Sequence, residues 1–196
     1  SMNNSSLSRP LSDNEHNSMV QVSLLPDDVG KESEVPKTLP AANATASTAA
    51  TATVGTASTS FVATDGCVNL TISTDSTDSV IRETKKVFAY QPGKSLLVLN
   101  TFTMAAPKAN LTQRVGYFGS QNGVYLELNG NTINFVIRSF SSGTVVEERV
   151  DQSSWNIDSL DGTGPSLLTL DLTKTQLFWS DIEWLGVGTV RCGFVI

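Results

Sequence analysis

Residues 122–150 decide the fold class, and they read NGVYLELNGNTINFVIRSFSSGTVVEERV. Asn-Gly pairs at residues 122–123 and 129–130 flank a short apolar run, and Ser-Gly at 142–143 separates the next two. Asn-Gly favours the type I′ turn, whose twist matches a pair of antiparallel strands. Apolar residues alternate with polar ones in the run at 132–140, as they do along a half-buried strand. The segment therefore predicts a meander of antiparallel strands.

Strand-like segments continue on both sides of this meander, from Phe61 to Ile196. Residues 95–104 are apolar enough to predict a central strand, and no segment carries helical periodicity over three turns. Both faces of the meander are partly apolar, which fits two packed sheets better than one open sheet. We therefore predict an all-β fold, an antiparallel β-sandwich of jelly-roll or lectin-like type, over residues 61–196.

The first 60 residues differ in composition from the rest of the chain. Ser, Asn, Thr, Ala and Pro dominate them, and the first aromatic residue is Phe61. Such a stretch buries too little apolar surface to offset the entropy of ordering it. We predict that residues 1–60 are an extended, low-complexity N-terminal arm or linker that lies along a neighbouring subunit.

The C-terminal end of the sequence falls inside an apolar strand. Two expectations follow from this. Either the β-sandwich domain at residues 61–196 is truncated, or Val195 and Ile196 pair with another subunit and cover an open sheet edge.

The charge content argues against nucleic acid as a partner. The chain carries 13 basic and 19 acidic residues, a net charge of −6, and only 16% charged residues. Binding to phosphates requires clustered Lys and Arg, whereas the basic residues here are scattered. No apolar run approaches the length of about 20 residues that spans a bilayer, so no membrane insertion is predicted.

Catalytic and metal sites built on histidine are also disfavoured, because His16 is the single histidine and lies in the polar arm. A Ser-His-Asp triad, a Cys-His pair and a histidine metal site would all depend on this one residue, outside the predicted folded domain. Cys67 and Cys192 lie outside any CxxC motif. The two either form a disulfide or are small buried apolar side chains, and the second interpretation is favoured. We predict no cofactor.

Two pairs of carboxylates remain as candidates for glycoside hydrolysis, which uses two acidic side chains across a cleft. Glu147 and Glu148 are adjacent, so they point to opposite faces of a strand, whereas Asp181 and Glu183 share one face. The favoured interpretation of both pairs is that the carboxylates are solvated, paired with Arg or Lys, or hydrogen-bonded to loops. We therefore predict that the chain is not an enzyme.

The loop region around residues 158–171 offers a weak candidate for calcium. Asp158, Asp161 and Asp171 flank Gly162-Thr-Gly164 and could supply oxygen ligands. Their spacing matches no standard calcium loop, and Asp and Gly are also the residues that turns use. Turn formation is the favoured interpretation, and no metal is predicted.

Five aromatic side chains could form a binding surface: Trp155, Trp179, Trp184, Tyr117 and Tyr125. Exposed together, they would make a platform on which sugar rings stack, and buried, they would fill a core or an interface between subunits. The filling role is the favoured interpretation.

Three stretches carry a resemblance to a known protein type: ETKKVFAYQPGK at 83–94, WNIDSLDGTGPS at 155–166 and LDLTKTQLFWSDIEWLGVGTVRCGF at 170–194. As an ordered set they resemble virion structural proteins of marine tailed phages, especially cyanophages, and related sequences in large aquatic viruses. The resemblance covers residues 80–196. It implies a β-rich virion component of a tail, fibre or capsid decoration, and no enzyme.

As partners we expect copies of the same chain, with a trimer as the predicted symmetry, and other virion proteins. The alternative is a carbohydrate- or receptor-binding module used in host attachment, with a host surface glycan as its ligand. The aromatic residues would then lie exposed in one groove.

Overall fold

The computed structural model describes residues 17–24, 33–38, 49–86, 88, 93–183 and 188–196. These residues form strands and one 3₁₀ turn at Gln152–Ser154. The strands are β1 (Asn17–Leu24), β2 (Ser33–Thr38), β3 (Ala49–Val54), β4 (Ser58–Val62), β5 (Cys67–Ile72), β6 (Ser79–Thr84), β7 (Leu96–Phe102), β8 (Leu111–Phe118), β9 (Gly123–Asn129), β10 (Thr132–Ser139), β11 (Val146–Asp151), β12 (Gln176–Ile182) and β13 (Val190–Val195).

Two antiparallel sheets make up the fold. Sheet A has the strand order β11-β10-β9-β8-β1-β6-β3, and sheet B has the order β13-β12-β7-β2-β5-β4. Apolar side chains of both sheets meet in one core, which includes Val115 and Leu126 of sheet A and Leu70, Phe102 and Phe178 of sheet B. The prediction of an all-β antiparallel sandwich is confirmed.

The predicted meander over residues 122–150 forms β9 to β11, and β8 pairs with β9 as a further antiparallel strand that was not predicted. The turn between β9 and β10 differs from the prediction. Thr132 pairs with Asn129, so the two-residue loop between β9 and β10 is Gly130-Asn131 rather than Asn129-Gly130. Gly130 has a φ of 58°, and the neighbouring asparagines do not have a positive φ. A positive φ at the first loop residue alone is the feature of a type II′ turn, so the predicted type I′ turn is wrong.

The stretch predicted as an arm supplies strands to both sheets. β1 lies between β8 and β6, β3 is the edge strand next to β6, and β2 and β4 flank β5 in sheet B. The predicted boundary at residue 60 falls inside β4. Strand pairing uses main-chain groups that every non-proline residue carries, so an apolar-poor segment can still complete a sheet. Whether residues 61–196 fold without the first 60 stays a prediction.

The polar composition of residues 49–62 suits the positions of β3 and β4. Each is an edge strand of its sheet, and most of its side chains are exposed. Threonine and valine favour extended backbone, so these segments form strands without contributing much to the core. Their low apolar content therefore fits edge strands. Composition alone does not distinguish such a strand from an unstructured linker.

We expect removal of β1 to destabilise the fold strongly, because β1 is an interior strand of sheet A. A chain of residues 25–196 should unfold at a clearly lower urea concentration than a control chain of residues 17–196, as followed by circular dichroism. Each net main-chain hydrogen bond contributes about 0.5–1.5 kcal/mol, and β1 pairs along both of its edges. Equal midpoints for the two chains would contradict the interior position of β1.

Candidate functional site

The outer surface of sheet B carries three rows of side chains where β7, β12 and β13 lie side by side. The strand register places opposite one another Val195–Leu177–Thr101, Gly193–Trp179–Leu99 and Arg191–Asp181–Leu97. We call these nine residues the β12 face. The alternate residues of β12, which are Phe178, Ser180 and Ile182, are buried in the interior of the sandwich.

Large apolar side chains on the β12 face remain open to solvent. Leu97 is 60% exposed, Leu99 56% and Val195 56%. Ile196, which follows Val195, is 71% exposed. Single exposed apolar residues are ordinary on a protein surface, whereas several in register on one sheet mark a surface that contacts something else. The β12 face is therefore the candidate interaction site.

Trp179 lies at the centre of this face, against the backbone of the neighbouring strand. A Cβ atom added to Gly193 would lie 2.9 Å from Nε1, 2.9 Å from Cζ2 and 3.0 Å from Cε2 of the indole. These distances place the Nε1–Cε2–Cζ2 edge of the indole against the glycine, in a position that any side chain would obstruct. Gly193 thus allows Trp179 to lie across β13 rather than stand away from the sheet.

Charged side chains border the apolar part of the β12 face. The Arg191 guanidinium lies 2.5 Å from a carboxylate oxygen of Asp181 and 3.0 Å from one of Glu183. The hydrogen bond to Asp181 and the charge of Glu183 raise the pKa of Arg191. Both carboxylates bind the same guanidinium, so the ion-pair interpretation of Asp181 and Glu183 is confirmed.

The second predicted carboxylate pair is divided between the two faces of β11, as its adjacent positions require. Glu148 is exposed, whereas Glu147 accepts hydrogen bonds from Tyr125 and Arg138, each at 2.9 Å, and from Arg149. Burial acts to raise the pKa of Glu147, but these hydrogen bonds outweigh it and lower the pKa to about 2. Glu147 is therefore ionised at neutral pH and is poorly suited to donate a proton as a general acid.

Glu147 belongs to a charge network on the outer surface of sheet A. At its centre the side chain of Glu127 is fully buried, 2.7 Å from Arg114 and 2.8 Å from Arg149. A buried carboxylate without a partner would be very costly, and here two guanidiniums neutralise it. The charges of this network are paired with one another, so these side chains stabilise the meander. No local pattern in the sequence identifies the network, because its members come from four different strands.

The structure separates the five aromatic residues that could have formed a platform. Tyr117 and Tyr125 are buried, Trp155 stacks on the Phe135 ring with centroids 4.1 Å apart, and Trp184 lies outside the described residues. Burial raises the pKa of Tyr117 to about 12 and also raises that of Tyr125. Tyr117 and Tyr125 are thus excluded from any solvent-facing platform.

Trp155 and Trp179 therefore have different environments. Trp155 is half-buried and donates a hydrogen bond from Nε1 to the carbonyl of Val150 at 3.2 Å, beside Phe194 of β13. Trp179 is half-buried on the outer face of sheet B. Of the predicted aromatic residues that the structure describes, Trp179 is the one that remains on an exposed sheet surface.

The loop aspartates act as turn residues. Asp158 accepts hydrogen bonds from the backbone N–H groups of Leu160 and Ser166, both at 2.8 Å. Asp161 and Asp171 each accept from the residue two positions later, at 2.9 and 3.0 Å. Among the described residues, no group of three His, Cys, Asp or Glu side chains could hold a metal ion. The turn interpretation is confirmed, and the calcium candidates gain no support.

The two cysteines do not form a disulfide. Cys67 is buried and Cys192 is half-buried on β13, where burial raises the pKa of the Cys192 thiol to about 12. A thiol with so high a pKa stays protonated at neutral pH and is a weak nucleophile. The interpretation of both residues as buried apolar side chains fits this arrangement.

Comparisons with known proteins identified no relative of this chain. Neither the scan against protein-family models nor the searches of curated proteins and of solved structures found a match. Within the part of the chain that the structure describes, no helix is long and apolar enough to cross a membrane.

We expect Glu147→Gln to lower the free energy of unfolding at pH 7 by about 1–2 kcal/mol, after allowance for solvent screening of its partly exposed ion pairs. Because the folded-state pKa is about 2, below the ordinary value of 4.5, the carboxylate stabilises the fold above pH 4.5. That contribution is lost as the pH falls towards 2, so the variant and the parent should converge there.

Urea unfolding over this pH range measures the effect, and the matched control is Glu148→Gln. Glu148 is the adjacent, exposed carboxylate, and its replacement should leave the pH dependence of the parent nearly unchanged. A constant difference between Glu147→Gln and the parent from pH 7 to pH 2 would contradict the stabilising ion pairs.

Proposed function

We propose that the chain is a non-enzymatic structural component of a virus particle, in a tail, fibre or capsid decoration, and that it assembles with copies of itself. The observation that carries this proposal is the exposed apolar part of the β12 face. The resemblance to phage virion proteins supports the same conclusion, because its longest stretch, residues 170–194, contains all of β12 and most of β13.

The energetics of the β12 face suit repeated rather than isolated contacts. Completing the burial of a half-exposed Leu or Val side chain contributes about 1 kcal/mol. Two copies that bury Leu97, Leu99 and Val195 against each other therefore gain about 6 kcal/mol from these side chains, against an association cost of about 4–15 kcal/mol. One such contact is weak, but many contacts within a particle add through avidity.

A second copy of the chain is the occupant that the charges of the face favour. Arg191, Asp181 and Glu183 place both signs of charge beside the apolar residues. In a closed assembly of identical copies, each copy brings both signs to its contact with the next, so the charges can be matched. A face that binds a strongly acidic or strongly basic partner would carry charges of a single sign. The closed symmetry, with a trimer as the prediction, remains part of this proposal.

The double variant Leu97→Ser/Leu99→Ser tests self-assembly, because it removes the apolar contact while β7 keeps its backbone pairing. In sedimentation velocity over a concentration series, the parent chain should associate reversibly, and the variant should stay monomeric at concentrations where the parent does not. The matched control is Val145→Ser/Val146→Ser, which changes two exposed valines at the start of β11 and should leave the association unchanged.

A parent chain that is monomeric at every concentration would contradict assembly through the β12 face. The virion role has its own measurement, which is labelling of purified particles with an antibody against residues 61–196. Particles of the virus that encodes the chain should be labelled at a regular position, and unlabelled particles would overturn the placement in the virion.

A second candidate function, glycan binding in host attachment, is favoured by the position of Trp179. Its indole lies against Gly193, and the neighbouring row on the face carries Asp181 and Arg191. A flat aromatic ring beside a carboxylate and a guanidinium can stack on a sugar ring and bind its hydroxyl groups.

We expect any glycan that binds here to lose about five- to thirtyfold in affinity on Trp179→Ala, since an aromatic contact of this kind contributes about 1–2 kcal/mol. Binding on a glycan array, followed by isothermal titration with the best ligand, measures the loss. The control is Trp155→Phe, because Trp155 lies against Phe135 inside the sandwich. Equal losses for both variants, or no bound glycan, would remove this candidate.

A further inference from the structure

The loop between β11 and β12 exposes apolar side chains. Ile157 is 83% exposed and Leu167 75%, and Leu168 is exposed as well. None of the three belongs to a strand, and we call them the loop patch. The loop patch shares no residue with the β12 face, so it is a second apolar surface of the chain. Several exposed apolar side chains in one region indicate a contact with another molecule.

Hydrogen bonds within the loop hold the loop patch in a fixed conformation. The carboxylate of Asp158 accepts a hydrogen bond from the N–H of Ser166 at 2.8 Å. Ile157 precedes the first of these residues and Leu167 follows the second, so their backbones lie close together. The N–H of Leu167 also donates to the carbonyl of Gly164 at 3.0 Å. A loop that is ordered before binding loses little conformational entropy when it meets a partner.

The backbone of Leu167 is in the left-handed region, with a φ of 57°. This conformation is costly for a residue with a Cβ atom, and turns that need it normally use Gly or Asn. Leu160 has a similar φ of 50°, but its side chain is buried, so packing accounts for a leucine there. Leu167 gains no such burial. Its strain and its exposure do not serve the fold, and they fit a side chain that contacts a partner.

The charges around the loop patch have a single sign. Residues 151–173 contain four aspartates and no Lys, Arg or His. Asp171 lies 3.6 Å from Lys174, whereas no basic side chain among the described residues forms an ion pair with Asp158 or Asp161. Hydrogen bonds from the loop lower the pKa of both of these carboxyl groups, so both are ionised at neutral pH.

These charges determine which partner suits the loop patch. A second copy of the chain would bring aspartates against aspartates, which repel each other. An anionic lipid surface would be repelled in the same way. A protein segment with Lys or Arg beside apolar side chains would be attracted by the aspartates, and its apolar side chains would cover the exposed isoleucine and leucines.

We propose that the loop patch binds a segment of another protein in which Lys or Arg lies next to apolar side chains. Ile157, Leu167 and Leu168 supply the apolar contact, and Asp158 and Asp161 supply the electrostatic attraction. The inference goes beyond the proposed function, because it assigns a surface other than the β12 face and a partner other than a copy of the chain.

Selection from a displayed library of random short peptides, with the full parent chain as the immobilised target, provides the probe. The strongest peptides are synthesised, and their affinities for the parent and for variants are measured by isothermal titration. The first variant is Leu167→Gly, since glycine adopts the left-handed φ without strain and lacks the apolar side chain. This variant should unfold at about the same urea concentration as the parent, so a loss of binding would not come from unfolding.

Peptides that combine Leu, Phe or Trp with Lys or Arg should bind Leu167→Gly about tenfold more weakly than the parent, which is the effect of a leucine that a partner no longer buries. Asp161→Asn keeps the oxygen that accepts from Thr163 but removes the charge, so it should weaken binding at low salt and change it little at high salt. The matched control is Asp75→Asn, because Asp75 accepts from Thr77 in the same way in another turn.

The variant Leu97→Ser/Leu99→Ser separates this proposal from assembly through the β12 face, and it should bind the same peptides as the parent does. The proposal is overturned if Leu167→Gly weakens no selected peptide, or if the peptides that it weakens lack Lys and Arg. Self-association, or binding to vesicles of phosphatidylcholine and phosphatidylglycerol, that disappears in Leu167→Gly would assign the loop patch to a different occupant and would also overturn it.

Discussion

Sheet A depends on one interaction, the pairing of β1 with β8 on one side and with β6 on the other. This strand joins the meander β8 to β11 to the pair β6 and β3, and without it the sheet has two interior edges. The core beneath is made by both parts, since Val80 of β6 and Val115 and Leu126 of the meander pack in the same cluster. The first strand of the chain is therefore the structural link that a low-complexity arm would not be expected to provide.

The outer surfaces of the two sheets differ in a way that indicates where the protein interacts. On sheet A, arginines and glutamates pair with one another around Glu127 and cover Tyr125. On sheet B, the β12 face exposes Leu97, Leu99 and Val195 beside Trp179. A satisfied charge network contributes stability and rigidity to one surface, and the apolar surface on the opposite side is the one that we propose for contacts with other molecules.

Sequence reasoning predicted the elements that have a strong local signal and missed those that depend on distant partners. The Asn-Gly turns and the alternation of apolar residues predicted β9 to β11, and β7 was expected as a central strand. β1 to β3 were missed, because their pairing partners lie far along the chain and their composition resembles that of a linker. Trp179 was identified as a candidate, but exposure of Leu97 and Leu99 was not, since an apolar run predicts burial on both faces. Tyr125 is buried, in agreement with the favoured filling role, but its cover by Arg138 follows from cross-strand register and could not be predicted.

Amide hydrogen exchange along β6 and β8, resolved by residue in the full chain, tests the central claim most directly. Main-chain groups paired on both sides of an interior strand open only with large-scale unfolding, so they exchange slowly. We predict that the amides of β8 which face β1 are as strongly protected as those which face β9. Removal of residues 1–24 should make exchange fast, as on an edge strand, only for the amides that faced β1. Fast exchange of the β1-facing amides in the full chain would contradict it.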